Sequence, residues 1–287
     1  MPGGWRSGSN GLAVPLSRIQ SDILHLLASR RDPESYVAGS TPLNRSTSRY
    51  STDIGIFHDR QERVKEAATL DAEVIVANGY ALHWLRGESA IQSVSVSRAN
   101  LETKLEWVAD SDFRFFPTMA DVTFGYILHP ADMAMNKAHA AVGRRELRDI
   151  VDLVSIHEMV LPIGATIWAA VEKMPGFSPE AMISEIRRNS LYPKSEWRAL
   201  VAVQPFDPEI VYPKLRAALD EAEAFVNRMP TDKVGLLFLE NGKVVQPDPD
   251  KLDQYQTHAG ERRGHWPSNS EIETAMLEHY NLKPGKP

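Results

Sequence analysis

The segment from Tyr36 to Phe57 reads YVAGSTPLNRSTSRYSTDIGIF. It begins with a short apolar run that predicts a strand, followed by a turn at Gly39 and Ser40 and a stretch that can begin a helix. Gly39 can adopt backbone angles that other residues avoid, and Pro42 suits the first turn of a helix, where its missing N–H costs nothing. The free N–H groups of such a turn, together with the helix dipole, favour an anion. The segment therefore predicts a phosphate-binding turn.

A second strand follows this turn, and it begins with an acid, Asp53. Because strand side chains alternate between faces, Asp53, Gly55 and Phe57 are predicted on one face, with Ile54 and Ile56 on the other, toward the core. A carboxylate that faces the turn could hold Mg²⁺, which proteins bind through carboxylates together with substrate phosphates. The alternative is an ordinary loop with a surface Asp, which one Gly-Ser pair and one acid do not exclude.

A helix is predicted downstream, over residues 130–142. Pro130 suits its start, and Asp132 falls in its first turn, where the helix dipole favours an acid. Lys137 lies on a face that is otherwise formed by small and apolar side chains, and a Lys is seldom fully buried without a partner. Lys137 is therefore either a phosphate-binding ammonium or a surface Lys whose ammonium reaches solvent.

The next predicted helix spans residues 144–160 and contains three charged candidates. Arg148 and Asp152 are four residues apart, which is the spacing of a helix-surface ion pair worth about 0.3–0.5 kcal/mol. Alternatively, Asp149 or Asp152 orients Lys137 and a bound nucleotide. The spacing alone leaves both interpretations open.

A further acid lies in the segment TKLEWVA, from Thr103 to Ala109. Apolar and charged residues alternate there, which predicts a strand with Glu106 on its polar face. A solvated strand face explains Glu106 without any function. Glu106 becomes a candidate metal ligand or base if its strand lies beside the strand that begins at Asp53.

Taken in order, these segments resemble the motifs of the AbiEii/AbiGii-type nucleotidyltransferase toxin family, which has a polymerase-β-like nucleotidyltransferase fold. The resemblance covers roughly residues 17–190, and the second Asp of the family's first motif falls on Gly55. The residues that match the first motif are Gly39, Ser40, Arg49, Ser51 and Asp53. The residues that match the later motifs are Glu106, Lys137, Arg148, Asp149 and Asp152.

The resemblance implies a toxin-like, metal-dependent enzyme that moves a nucleotide from an NTP to an RNA acceptor, such as tRNA, or to a protein acceptor. It also implies an antitoxin protein as a partner and Mg²⁺ as the cofactor. The residues expected to be catalytic are Asp53, Glu106, Lys137 and Asp152, of which Asp53 and Glu106 would bind the metal. The residues expected to bind the NTP are Gly39, Ser40, Arg49, Ser51, Lys137 and Asp149.

Gly55 leaves a second function open. Two-metal catalysis requires several acids to hold the attacking and leaving oxygens, and Gly55 removes one of them. The chain is then a catalytically weakened or inactive member of the family, which acts as an NTP-binding or regulatory module.

The composition is that of an ordinary soluble protein, with 287 residues, 43% hydrophobic and 24% charged, and no cysteine. The lack of cysteine excludes disulfides, thiolate metal sites and a Cys nucleophile. No run of sequence predicts a membrane span or a signal peptide, so we expect a cytoplasmic protein without a membrane partner. A net charge of −6 argues against a broad nucleic-acid surface. Arg144, Arg145 and Arg148 could still form a local basic patch for an RNA end, or a solvated helix start.

The order of the elements predicts an α/β (α+β) fold, with a helix-flanked mixed sheet followed by helices. We predict disorder over 1–14, a nucleotidyltransferase-like sheet domain over 15–128, a helical domain over 129–230, and a hairpin with a loose tail over 231–287. Asn241 and Gly242 favour the tight turn of that hairpin, and a short helix is predicted over 270–280. The nucleotide is expected in the cleft between the sheet and the helices, a common place for a ligand.

Overall fold

The computed structural model describes residues 16–44, 49–111, 113–202, 205–262 and 283–284. It confirms the mixed α/β fold class. The α-helices of this part of the chain are α1 (Arg18–Leu27), α2 (Ser40–Leu43), α3 (Gln61–Ala77), α4 (Pro130–Gly143), α5 (Leu147–Met159), α6 (Ile163–Ala170), α7 (Pro179–Asn189), α8 (Lys194–Ala199) and α9 (Pro208–Val226). The strands are β1 (Ser35–Ala38), β2 (Asp53–His58), β3 (Ala81–Glu88), β4 (Ile91–Arg98), β5 (Leu101–Ala109), β6 (Phe113–Arg114), β7 (Met119–Asp121), β8 (Gly125–Ile127), β9 (Leu237–Glu240), β10 (Lys243–Val245), β11 (Gln256–His258), β12 (Glu261–Arg262) and β13 (Lys283–Pro284).

Eight of these strands form one mixed sheet, in the order β13-β7-β8-β1-β2-β5-β4-β3. β1 is antiparallel to β2, whereas β2 and β5 run parallel. The alternation predicted for β2 is confirmed, because Ile54 and Ile56 are buried while Asp53, Gly55 and Phe57 are only partly buried. The acid-bearing strand is therefore central, with β1 on one side and β5 on the other.

One face of the sheet is covered by α1 and α3. A capping box fixes the start of α1, since the Ser17 backbone N–H donates to Gln20 Oε1 at 3.0 Å and the Gln20 backbone N–H donates to Ser17 Oγ at 3.4 Å. Gln20 Nε2 also donates to the carbonyl oxygen of Ser51 at 2.9 Å. The first helix thus holds the segment that leads into β2.

The helices after the sheet pack mainly on one another. α4 contacts α5, α6 and α7, and α9 packs against α5, α6 and α7. His129 caps α4, since its Nδ1 accepts a hydrogen bond from the backbone N–H of Ala131 at 3.2 Å. Most of α4 is buried, which places Lys137 in the interior rather than at a solvated surface.

The predicted hairpin is confirmed, because β9 and β10 pair around Asn241 and Gly242, which have φ of 50° and 74°. The loose tail predicted after it is wrong for part of the chain. β11 pairs with β9, β12 with β6 and β13 with β7, so these three segments belong to sheets. The segments predicted as disordered (1–14) and as a short helix (270–280) lie outside the described residues.

Within the described ranges, no single helix is long and apolar enough to cross a membrane. α5 and the helical segment Ile163–Lys173 meet the length and composition criteria only as a pair that is bent by 111°. Both segments are largely buried inside the protein, as expected for core helices.

Candidate active site

The turn after β1 has the geometry that requires glycine. Gly39 has φ 79° and ψ −147°, a conformation that residues with a Cβ rarely adopt. α2 begins at Ser40 and has only four residues, so its dipole is weak and the N–H groups of the turn are the main feature available to an anion. Ser40 Oγ donates to Asp152 Oδ2 at 3.0 Å, which ties the turn to α5.

Ser51 connects the turn region to the start of β2. Thr41 Oγ1 lies 3.0 Å from Ser51 Oγ and 2.9 Å from the carbonyl oxygen of Asp53. Ser51 Oγ itself lies 2.8 Å from the same carbonyl oxygen. Ser51 is buried, so in this structure its contacts fix the backbone in front of Asp53. Its predicted contact with an NTP stays a prediction.

Asp53 and Glu106 lie on neighbouring parallel strands and face the same side of the sheet. Gly55 is the register partner of Glu106, and Asp53 is the partner of Lys104. Asp53 and Glu106 are therefore two residues out of register, about 8 Å apart between Cα atoms from strand spacing and rise. Glu106 is a candidate only if its strand lies beside that of Asp53, and the pairing of β5 with β2 meets this condition.

Both carboxylates have cationic neighbours. Glu106 Oε1 is 2.6 Å from Lys104 Nζ, and Asp53 Oδ2 is 3.5 Å from Arg148 Nη1. Arg148 therefore points at β2, and the ion pair that helix spacing predicts between Arg148 and Asp152 is wrong. Asp152 pairs with residues of other elements instead.

The donor set fits a single Mg²⁺ that arrives with a nucleotide. No group of three His, Cys, Asp or Glu side chains able to hold a metal ion occurs among the described residues. Mg²⁺ usually keeps several waters and is bound by one or two carboxylates plus substrate phosphates, which Asp53 and Glu106 can satisfy. The larger acid set of a two-metal site is lacking at Gly55.

Lys137 lies in a buried network of charges. Its Nζ is 2.7 Å from Asp149 Oδ1 and 2.8 Å from Asp152 Oδ2. Arg49 binds the same Asp152 through two hydrogen bonds, Nε to Oδ1 at 2.7 Å and Nη2 to Oδ2 at 2.8 Å. Arg144 Nε donates to Asp149 Oδ2 at 2.7 Å. Since Lys137 is only 6% exposed, the interpretation as a surface Lys is wrong. The alternative, that Asp149 or Asp152 orients it, agrees with these contacts.

Charge pairing keeps both acids of this network ionised. Burial would raise the pKa of Asp152, but the neighbouring Lys137 and Arg49 outweigh burial and lower that pKa to about 2. Burial likewise opposes ionisation of Asp149, and Lys137 with Arg144 hold its pKa below the ordinary value. Lys137 and Arg49 thus balance Asp149 and Asp152 in the buried part of the network, and the half-exposed Arg144 adds a third cation at its edge.

A cleft of about 530 Å³ lies between the turn, the face of β2 and α4. This volume is within the usual range of small-molecule sites. Its walls include Gly39, Phe57, Met133, Lys137, Ala140 and Arg144. The turn and Lys137 therefore meet at one cleft, and Ser40, Arg49, Asp149 and Asp152 form the network behind Lys137. Asp53 and Glu106 do not belong to the lining formed by the described residues and lie farther along the same sheet face.

Of the described residues that line this cleft, only Gly39 and Lys137 are predicted site residues, and Arg144 and Phe57 are two that the prediction omits. Arg144 had a signal in the sequence, as part of a basic helix start. Phe57 had one as well, since strand alternation puts it on the face of Asp53. Neither signal ranks its residue above the residues of the motifs.

No protein-family model and no curated protein matches the chain. Among solved structures it is similar to MenT4, the nucleotidyltransferase toxin Rv2826c from Mycobacterium tuberculosis H37Rv, with 16% identity over 75% of this chain and 83% of that chain and a TM-score of 0.48. It is also similar to Cid1, described by its RNA terminal uridylyl transferase activity, with 11% identity over 85% of this chain and 72% of that one and a TM-score of 0.29. A cytoplasmic RNA terminal U-transferase matches with 13% identity over 94% of this chain and 78% of that one, and a TM-score of 0.27. The chain is thus similar, at low identity, to nucleotidyltransferases, the class that the sequence motifs resemble.

Proposed function

We propose that this chain binds an NTP together with Mg²⁺ and transfers its nucleotide to RNA. The observation that supports this most directly is the meeting of the Gly39 turn with Lys137 at one cleft, beside the sheet face that carries Asp53 and Glu106. A turn at the start of a helix, a lysine ammonium at the cleft wall and two carboxylates on adjacent strands are the parts that a metal-bound triphosphate requires.

The protein's contribution to such a reaction is mainly positioning and charge stabilisation. The turn and the cationic wall of Lys137 and Arg144 would hold the phosphates. Asp149 and Asp152 fix the Lys137 ammonium from two sides, so it would not have to reorganise as negative charge develops. Arg49 and Ser40 in turn fix Asp152.

The carboxylates would act at the reacting phosphate. Mg²⁺ held by Asp53, Glu106 and the phosphates of the NTP would supply Lewis-acid stabilisation of that phosphate. Glu106 is also the candidate to accept the proton of the attacking hydroxyl, provided that it leaves Lys104. Asp53 would likewise have to leave Arg148.

RNA is the acceptor that we favour, with tRNA as its first candidate. Arg145 follows the cleft residue Arg144 and is half exposed, with its guanidinium carbon 4.4 Å from the centre of the Tyr192 ring. A half-exposed arginine can supply a contact to the phosphates of a nucleic acid end. A toxin-like role, an antitoxin partner, a protein acceptor and a cytoplasmic location remain predictions from the family resemblance.

A second candidate function is NTP binding without transfer. It is favoured by Gly55, which stands opposite Glu106 where an additional acid would complete the metal site. Such a protein would keep the phosphate-binding turn and the Lys137 network, and it would act as a binding or regulatory module.

The two functions separate in one assay. The protein is incubated with Mg²⁺, total tRNA and each of the four radiolabelled NTPs, and label is followed both on RNA and on protein. Asp53→Asn is the inactive control, and Asp22→Asn, a change on the exposed face of α1, is the matched neutral control. Label on RNA supports the enzyme, and label on protein alone identifies a protein acceptor. NTP binding in calorimetry without transfer supports the module, and neither binding nor transfer contradicts the proposal.

A further inference from the structure

The ring of Phe57 occupies the space above Gly55. A Cβ atom placed on Gly55 would lie 2.8 Å from Phe57 Cε2, which is closer than real Cβ contacts. Glycine is the one residue type that has no side chain to conflict with the ring at position 55. The family motif has an acid at position 55. In this chain the ring of Phe57, two residues along the same strand, fills the space that the side chain of such an acid would need.

The orientation of Phe57 is supported from the neighbouring strand. Tyr36 is its register partner on β1, and the two rings are nearly parallel, with centroids 6.5 Å apart and an interplanar angle of 12°. Tyr36 is fully buried, and its hydroxyl contacts Asp59 at 3.0 Å and Asp110 at 2.8 Å. The Phe57 ring is thus held by a rigid neighbour and partly exposed to the cleft.

The wall that α4 contributes to the cleft carries both apolar and charged side chains. Met133 and Ala140 contribute apolar surface, and Lys137 and Arg144 contribute the cations. A partly exposed aromatic ring that shares a narrow cleft with small and apolar side chains suits a planar group such as a nucleobase.

The cleft lining also includes buried polar groups. Lys173 is almost fully buried, and its Nζ lies 3.0 Å from Asn136 Oδ1 and 3.5 Å from Asp132 Oδ1. Asp110 also belongs to the cleft lining. Polar groups beside an aromatic surface suit hydrogen bonding to the edge of a base or to a ribose.

We propose that Phe57 is the surface on which the base of the NTP stacks, and that Gly55 is required to give its ring this position. The inference rests on the proposed function, since it concerns the same nucleotide. It gives Gly55 a role of its own, in which the strand carries a base-binding ring instead of an additional metal ligand. Stacking of a base on an aromatic side chain tolerates every base, so all four NTPs should depend on Phe57.

Calorimetric titrations in Mg²⁺ test this role, with each NTP and with inorganic tripolyphosphate, which has no base. Phe57→Leu removes the ring, Phe57→Tyr keeps it, and Gly55→Ala displaces it through a Cβ. Phe177→Leu, a change of an exposed Phe outside the cleft, is the matched control. Thermal unfolding of every variant shows whether the fold is retained.

We expect Phe57→Leu and Gly55→Ala to weaken NTP binding at least about fivefold, the lower end of measured stacking effects. Tripolyphosphate binding should stay unchanged in both variants, and Phe57→Tyr and Phe177→Leu should bind NTP like the parent. If Phe57→Leu leaves NTP binding unaltered, the stacking role is overturned and the proposed function is not. An equal loss for NTP and tripolyphosphate overturns it as well, since the effect is then not on the base. A parent chain that binds neither ligand overturns the proposed function and this role with it.

Discussion

Arg49 and Asp152 are 103 residues apart in the sequence and form a buried ion pair with two hydrogen bonds, at 2.7 and 2.8 Å. Asp152 also accepts hydrogen bonds from Ser40 at 3.0 Å and Lys137 at 2.8 Å. A single carboxylate therefore joins the turn after β1, the segment before β2, and helices α4 and α5. The relative placement of turn and ammonium in the cleft depends on this carboxylate.

Replacing Asp152 with Asn should strongly destabilise the fold. The amide nearly retains the shape of the carboxylate but leaves Arg49 and Lys137 without a compensating charge. Removing one partner of a buried ion pair typically costs about 3–5 kcal/mol, and we expect a loss of that size in the free energy of unfolding, measured in urea.

Glu158→Gln provides the matched control on the same helix. Glu158 pairs with Lys214 at 2.6 Å, but both side chains are exposed, so its loss should cost at most about 1 kcal/mol. Equal losses for the two variants would contradict the central role of Asp152. The pH dependence has a defined sign, because the folded pKa of about 2 lies below the ordinary value of 3.8. This stabilisation is present above pH 4 and is lost as the pH falls toward 2.

His58 should make the fold sensitive to mild acid. It is fully buried at the end of β2, and neither ring nitrogen has a hydrogen-bond partner among the described residues. Burial, with Arg31 and Arg63 nearby, lowers its pKa from 6.5 to about 4. The unfolded chain therefore binds more protons than the folded one between these values, and His58 reduces stability as the pH falls from 6.5 toward 4.

The His58→Leu variant isolates this contribution. Burial raises the pKa of Asp59 to about 6, which acts in the opposite direction over the same pH range, so only the difference between parent and variant is informative. Between pH 7.5 and 5, the parent should lose about 2 kcal/mol more than His58→Leu in urea unfolding. Parallel pH profiles of the two proteins would show that His58 is paired or solvated in the folded state.

The elements of the site were predictable where the signal is local. The alternation in β2, the start of α4 at Pro130, and the Asn-Gly hairpin all follow from rules that act within a few residues. Glu106 could be recognised as a conditional candidate for the same reason, because the face of a strand is a local property. Which strand lies next to that of Glu106 in the sheet is not a local property.

The long-range pairings could not be derived in this way. β5 lies beside β2 in the sheet although β3 and β4 separate the two strands in the sequence, and no local rule specifies that neighbour. Helix spacing suggested Arg148 as the partner of Asp152, because such rules extend only to the fourth residue. Asp152 pairs with Arg49 instead, because the charge of a buried carboxylate requires a cation in direct contact. Arg148 pairs with Asp53, where both side chains stay partly exposed.

Metal binding should depend on the two carboxylates of β2 and β5 and on the lysine that competes for one of them. Asp53→Asn and Glu106→Gln should each weaken Mg²⁺-dependent NTP binding, and a chelator should have the same effect on the parent. Lys104→Met should instead raise the Mg²⁺ affinity up to about fivefold, because it frees Glu106 from an exposed ion pair worth about 0–1 kcal/mol. Calorimetric titration of Mg²⁺ at fixed NTP measures the Mg²⁺ affinity of all three variants.

Lys65→Met, a change of an exposed Lys on α3, is the matched control for the loss of charge. If Lys104→Met lowers the Mg²⁺ affinity, the lysine contacts the nucleotide directly. The assignment of Glu106 as its competing partner is then wrong.

Gly55→Asp should restore an acid beside Glu106, its register partner, and bring three carboxylates to one sheet face. The same change places a Cβ against the Phe57 ring at 2.8 Å, so the ring must rotate away. Gly55→Asp should therefore raise the rate of metal-dependent transfer and weaken the binding of the base. Gly55→Asn has nearly the same shape without the charge, and it separates the two effects.

At saturating NTP we expect Gly55→Asp to transfer label from NTP to tRNA faster than Gly55→Asn by roughly 10²-fold, the scale of one well-placed electrostatic contact. Both variants should bind NTP more weakly than the parent, and to the same extent, because both displace Phe57. Equal transfer rates for Asp and Asn would show that the missing acid does not limit the reaction. Undiminished NTP binding in both would show that the ring above Gly55 does not contact the base.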